Sequence, residues 1–406
     1  MTQAQTRGER MLALRRARMA ASPAVLRGGF RPFFLGAAAW ALASLPIWLL
    51  ALSGLADVPS AFAPLAWHRH EMLFGFVGAV VAGFLLTAIP NWTGRLPIAG
   101  GPLLSLFGLW LAARAAMYFS EISGLELAAT LDVGFYLVLA AVAGREVLAA
   151  KNRNLPIVLL VLLFAGANFA DYAIALGVAA DEGLGWRAGL ALVVLMISLI
   201  GGRIIPSFTR NWLVKQGITS GLPGQPTGYD LTTIAVTAVA LAAWLAAPEG
   251  HATGVLSLAA AALQLVRLSR WRGWRTFRDP LVLILHIGYF WVPLGLGLLA
   301  ASNLGTAVPR SAAIHALTAG AMATMILAVM TRATLGHTGR ALTANRQTTL
   351  LYALVTLGAV VRVAAPLEVV DYMTGIRVSG AAWFAAFTLF LTAYGPMLFS
   401  PRAGEA

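Results

Sequence analysis

The chain has no cysteine. That removes covalent c-type haem attachment, iron–sulfur clusters, thiolate-ligated haem, disulfides and a cysteine nucleophile. Any metal must be held by His, Met, Tyr, carboxylate or backbone oxygen, and any haem must be bound non-covalently through such groups. Charge is scarce too: 11% of the 406 residues are charged, against 59% hydrophobic. The loops between apolar runs are too short to hold soluble domains. The short alternating segments of a transmembrane barrel are absent as well.

What remains is apolar sequence, with a mean hydropathy of +0.79. Runs near 20 residues recur, each close to the length that crosses roughly 30 Å of hydrocarbon. Twelve spans can be placed, near 33–54, 72–91, 103–119, 127–148, 156–178, 188–205, 231–247, 253–267, 281–301, 311–331, 347–365 and 378–399. The fold class expected is an all-α polytopic membrane protein of about twelve transmembrane helices. Residues 28–399 form its single membrane domain, flanked by a basic tail or surface helix at 1–27 and a short tail at 400–406.

The net charge of +13 invites a nucleic-acid reading, but the placement of the charges opposes it. When loops are assigned alternately to two sides, the side of the N-terminus takes almost all Lys and Arg. The other side keeps only Arg69, Arg187, Arg310, Arg362 and Arg377, and Arg114 lies within a span. That bias marks the basic side as cytoplasmic, with both termini there. The partners expected are the lipid bilayer and its anionic headgroups, not nucleic acid. Residues 1–27 lack the plan of a cleavable signal.

Two stretches organise the chain. Trp67–Arg95, WHRHEMLFGFVGAVVAGFLLTAIPNWTGR, sets His68 and His70 at the mouth of a long apolar run. His315–Arg340, HALTAGAMATMILAVMTRATLGHTGR, repeats it at an offset of 245, so that Gly75 maps on Gly320 and Thr93-Gly94-Arg95 on Thr338-Gly339-Arg340. On an α-helix His70, Phe74, Val77 and Val81 share one face, and Gly75, Ala79 and Gly83 form a small-residue face for a close neighbour. His68 and His70 are two apart and so point different ways. The sixth span ends in GGRIIPSFTRNW, an echo of the second, which hints at three four-helix repeats.

Polar groups inside spans are costly and usually paired. Arg114 and Asp132 suit a structural ion pair, while Asn168 and Asp171 are polar groups that can line a cavity. Gly28 to Phe34, GGFRPFF, puts aromatics at headgroup level. Gly217–Gly228 is the best linker. Spans 7 and 8 read as plain, and the Arg/Trp run 267–278 as interfacial. His251, beside Glu249, reads as solvated. His286 and Tyr289 are three apart on one face, and His337 lies at the end of its helix, where the dipole favours it. For His70, His286 and His315, burial in a span makes function the default, and imidazole is the most versatile metal ligand present.

The motifs RPFFL, WHRHEMLFG, GFLLTAIPNWTGR, GGRIIPSFTRNW and HALTAGAMATMILAVMTRATLGHTGR closely resemble the NnrS family, over about residues 28–399. The resemblance implies a haem- and copper-containing protein of the bacterial inner membrane, linked to denitrification and nitric oxide stress. A more distant likeness in plan is to the haem–copper oxidases, which have twelve helices in three pseudo-repeats and haem ligands on helices 2 and 10. His70 and His315 occupy the equivalent places. The sixth span departs from that plan, with Arg203 and no histidine, which argues against a binuclear centre.

The leading expectation is therefore a b-type haem protein of nitric oxide metabolism or nitrosative-stress resistance. Its axial ligands are His70 (or His68) and His315, and a second haem or copper site draws on His286 and His337. A haem-dependent oxidoreductase acting on nitric oxide is one form of this. A transporter of a small metabolite, metal or haem, and an assembly factor for denitrification enzymes, stand as alternatives.

Overall fold

The computed structural model describes residues 7–179 and 183–404. Residues 1–6 of the expected N-terminal segment and 405–406 of the expected C-terminal tail lie outside them. Every regular element described is helical. A surface-type helix α1 (Arg7–Ala21) precedes α2 (Phe30–Leu52), α3 (Pro64–Thr93), α4 (Gly101–Tyr118), α5 (Leu125–Ala149) and α6 (Leu155–Ala175). Then follow α7 (Leu184–Lys215), α8 (Gly228–Ala246), α9 (His251–Arg270) and α10 (Pro280–Asn303). The last three are α11 (Arg310–His337), α12 (Arg346–Ala364) and α13 (Tyr372–Phe399).

Among the described residues, eleven of these helices are long and apolar enough to cross a membrane, which makes the chain a multi-pass membrane protein. The third expected span forms α4, 18 residues long with Arg114 inside it, and is not among those eleven. The helices after α1 fall into three sets of four, α2–α5, α6–α9 and α10–α13. The second helix of each set is long: 30, 32 and 28 residues.

The chain packs into two compact units. The first holds residues up to Gly189, with 333–340 and 391–406; the second holds 190–332 and 341–390. The boundary falls inside α7, and the Gly/Pro-rich 217–228 segment lies within the second unit. In the first unit α2 packs on α3, α4 on α5 and α5 on α6; in the second α8 packs on α9, α9 and α11 on α10, and α12 on α11.

The offset of 245 reappears as backbone geometry. After His70, residues Glu71–Val77 form a π-helical segment, and after His315, residues Ala316–Met322 do the same. Each of the two long helices also stops at a left-handed glycine, Gly94 at φ 66° and Gly339 at φ 74°, where a missing Cβ removes the penalty. The π segment widens the turn, so the simple α-helical face through His70, Phe74 and Val77 does not hold over it.

The small-residue face of α3 is used as expected: a Cβ on Gly83 would press into Phe33 and Phe34 of α2, and one on Gly75 into Trp40 and Arg114. The aromatics at the head of α2 do not face outward: Phe30, Phe33 and Phe34 are buried in protein, and Arg31 between them donates to the carbonyls of Leu398 (2.8 Å) and Ser400 (2.7 Å) at the end of α13.

Within α3, a Cβ on Gly78 would overlap the hydroxyl of Tyr136. Gly78→Ala is expected to cost about 1–3 kcal/mol through overpacking. Gly108→Ala on α4, where nothing lies within 4 Å, is expected to be tolerated. Thermal unfolding of the two detergent-purified variants checks the contrast.

Candidate functional site

The side chains around His70 form a buried charged cluster to which α2 to α6 all contribute. His70 is fully buried. Its Nε2 lies 2.9 Å from Asp132 Oδ2 and its Nδ1 2.9 Å from Asp171 Oδ2. The other oxygen of Asp132 is bonded by Arg114 Nη2, forming the ion pair the sequence suggests. Arg114 Nη1 reaches Glu71 Oε2 at 2.7 Å, and Trp40 Nε1 donates to that same oxygen at 2.7 Å. Tyr172 donates to Asp132 Oδ2 at 3.3 Å.

The cluster sits where the α-helix gives way to the π segment: His70 is the residue before it and Glu71 its first, and both are buried. Backbone carbonyls along it recruit side chains: Phe74 O accepts from the Tyr136 hydroxyl, and Gly75 O from Trp110 Nε1 at 3.0 Å. The aromatic walls are Phe62, Phe74 and Tyr172, with centroids 5.3, 5.1 and 4.9 Å from the imidazole.

Donor and acceptor accounting determines the protons. An ionised carboxylate only accepts, so an imidazole between two of them must carry both ring protons, or one carboxyl must carry a proton. Either way, neither ring nitrogen of His70 has a lone pair free for iron, and the expectation that His70 is an axial ligand does not fit this geometry. His68 points elsewhere, stacked on Trp48 with centroids 4.0 Å apart.

His315, in the second unit, has a different setting. Its Nδ1 meets the carbonyl oxygen of Ser311 at 2.6 Å. A carbonyl cannot donate, so the ring proton sits on Nδ1 and Nε2 carries the lone pair. Metal-ligating histidines are oriented in just this way, by a carbonyl on the other nitrogen.

His286 is buried, with Nε2 2.8 Å from Thr209 Oγ1. Thr209 donates to Ile205 O, so Nε2 supplies the proton, and Nδ1 is left without a partner against Gly273. His337, in the first unit, ends α11 with its ring 5.5 Å from that of Phe30. Among the described residues no three His, Asp or Glu side chains group so as to hold a metal ion; His286 lies in the second unit and His337 in the first. His251 is exposed as expected, while Glu249 pairs with Arg310, which holds its carboxyl below the ordinary value.

Spans 7 and 8 are not plain, and Arg267 is not interfacial. In the second unit Arg267 is buried, with Nε 2.9 Å from Asp230 Oδ1 and Nη1 3.0 Å from Tyr289 Oη. Gln264 joins Tyr289, Ser198 and Thr237. The signal was present as Asp230, Gln264 and Arg267, whose pairing needs the tertiary fold to see. Glu71 was missed for a similar reason, its inward turn depending on the π segment.

Removing Arg114 would strand Glu71 and Asp132 in the interior. Arg114→Met is expected to cost about 3–5 kcal/mol, the penalty for a broken buried pair. Arg114→Lys is expected to recover only part of it, because one ammonium replaces two separate guanidinium nitrogens. Unfolding temperatures of the two variants test this.

Against known proteins, the family model described as NnrS protein matches residues 24–402. No curated protein matches the chain.

Proposed function

The chain belongs to the NnrS family, whose role lies in the nitric oxide response, and from that premise we propose a haem-binding membrane protein with His315 as an axial ligand. The observation that supports it is the Ser311 carbonyl on Nδ1, which leaves Nε2 of a half-buried imidazole as a lone-pair donor. The absence of cysteine restricts the group to a haem held non-covalently, and we take it to be of b type. Such a haem supplies an iron that binds nitric oxide or exchanges electrons. The chain's own part is to hold the imidazole in one tautomer and to enclose it in α10–α12. The resemblance to the family implies the bacterial inner membrane, and the charge bias supports basic loops and both termini in the cytoplasm.

One observation favours a second reading, transport of a small solute. The charged cluster around His70 is of the kind that lines ion and substrate routes in membrane proteins. That reading predicts purified protein without stoichiometric haem.

The visible spectrum of the purified protein separates the two. Under the haem proposal the wild type shows a Soret band, His315→Ala loses at least nine-tenths of it, and His70→Ala retains it. Unchanged haem content in His315→Ala overturns the proposal.

A further inference from the structure

The geometry points to a second function that does not depend on haem: proton transfer from Asp171 through the imidazole of His70 to Asp132. Three observations on the page carry it. Both ring nitrogens are at 2.9 Å from a carboxylate oxygen, one on each side of the ring. Asp132 is completely buried, whereas Asp171 retains 11% of its side-chain surface, so the chain of three groups runs from a reachable carboxyl to a sealed one. Further polar groups lie on α6: Tyr172 is bonded to the same oxygen of Asp132, and Asn168, three residues before Asp171, is fully buried with neither amide atom partnered.

The groups that face this chain from the surrounding helices are Glu71, Arg114, Tyr136 and Tyr172. Arg114 is shared between Glu71 and Asp132, so it compensates a carboxylate at Asp132 without neutralising Asp171. An isolated structural pair needs one carboxylate; the second, and its exposure, are what a relay requires.

The transfer balances in protons and charge. It begins with a neutral ring protonated at Nε2 and with the carboxyl of Asp171 protonated. The Asp171 O–H bond breaks and an N–H bond forms at Nδ1. The Nε2–H bond breaks and an O–H bond forms on Asp132. One proton has entered at Asp171 and one sits on Asp132, and the ring has passed from one tautomer to the other. The reverse order returns it. Histidine is suited to this role because its two ring nitrogens can exchange the parts of donor and acceptor.

The test uses full-length protein with nitrogen-15 histidine in lipid nanodiscs. The His70 ring resonances are assigned by their absence in His70→Gln, and exchange of their protons for deuterium is timed. The expected result is exchange within seconds in the wild type, slowed at least tenfold by Asp171→Asn and restored by Asp171→Glu. A rate unchanged by Asp171→Asn overturns the proposal. So does a wild-type ring whose protons resist exchange for hours, an outcome that needs no Asp171 variant to fold. The haem reading can fail in the spectrum of His315→Ala while this result stands, and the converse holds too.

Discussion

Everything around the second long helix follows from the cost of putting charge where water is absent. Three carboxylates, one guanidinium and one imidazole share a buried space. Each would be expensive alone in a membrane span, and each is tolerable only because the others are in place. That requirement dictates the neighbours: α4 must bring Arg114, α5 Asp132 and α6 Asp171, all to the level of His70. The packing of α2–α6 is thus specified by polar pairing as much as by apolar contact, which suits an environment where burying apolar surface distinguishes helix from lipid poorly.

The π segment is the backbone device that meets the requirement. His70 ends the α-helical part and Glu71 opens the π segment, and both side chains enter one cluster. Within the segment the carbonyls of Phe74 and Gly75 accept from Tyr136 and Trp110. Gly75 and Gly78 then have to be glycine, since their Cβ positions are taken by the very side chains that complete the cluster. The glycine pattern that reads as a helix-packing face is at these positions also a consequence of the charged network.

Much of the architecture was legible in the sequence because it rests on local signals. Span length and hydropathy gave the helices, and the offset of 245 between the two histidine stretches gave the repeat, down to the terminal glycines. The ion pair of Arg114 and Asp132 was legible since the two nearby charges had few alternatives. What was hidden was non-local. Nothing in the composition of Glu71–Val77 marks a π segment, as i→i+5 bonding has no residue preference of its own to read. The Asp230–Arg267 pair joins residues that look like loop-edge charges. The aromatics of Phe30–Phe34 match an interfacial belt in composition, and only their tertiary neighbours, Phe107, Phe135 and His337, show them as buried.

The repeat then explains why its two histidines part in chemistry. At the offset of 245, Glu71 is replaced by Ala316, Arg114 by Ala359 and Asp132 by Arg377, while Trp40 and Trp110 become Leu285 and Val355. The third set keeps the histidine, the π segment and the terminal glycine but loses the charges that hold His70. Left with no carboxylate, His315 turns its N–H to the carbonyl one turn back in its own helix, a neutral arrangement that frees the other nitrogen. One backbone plan therefore yields an imidazole saturated with hydrogen bonds in the first set and one with a lone pair to offer in the third. Proton handling and metal ligation are both open to a buried imidazole, and the substitutions between the sets are why the relay is proposed at His70 and ligation at His315.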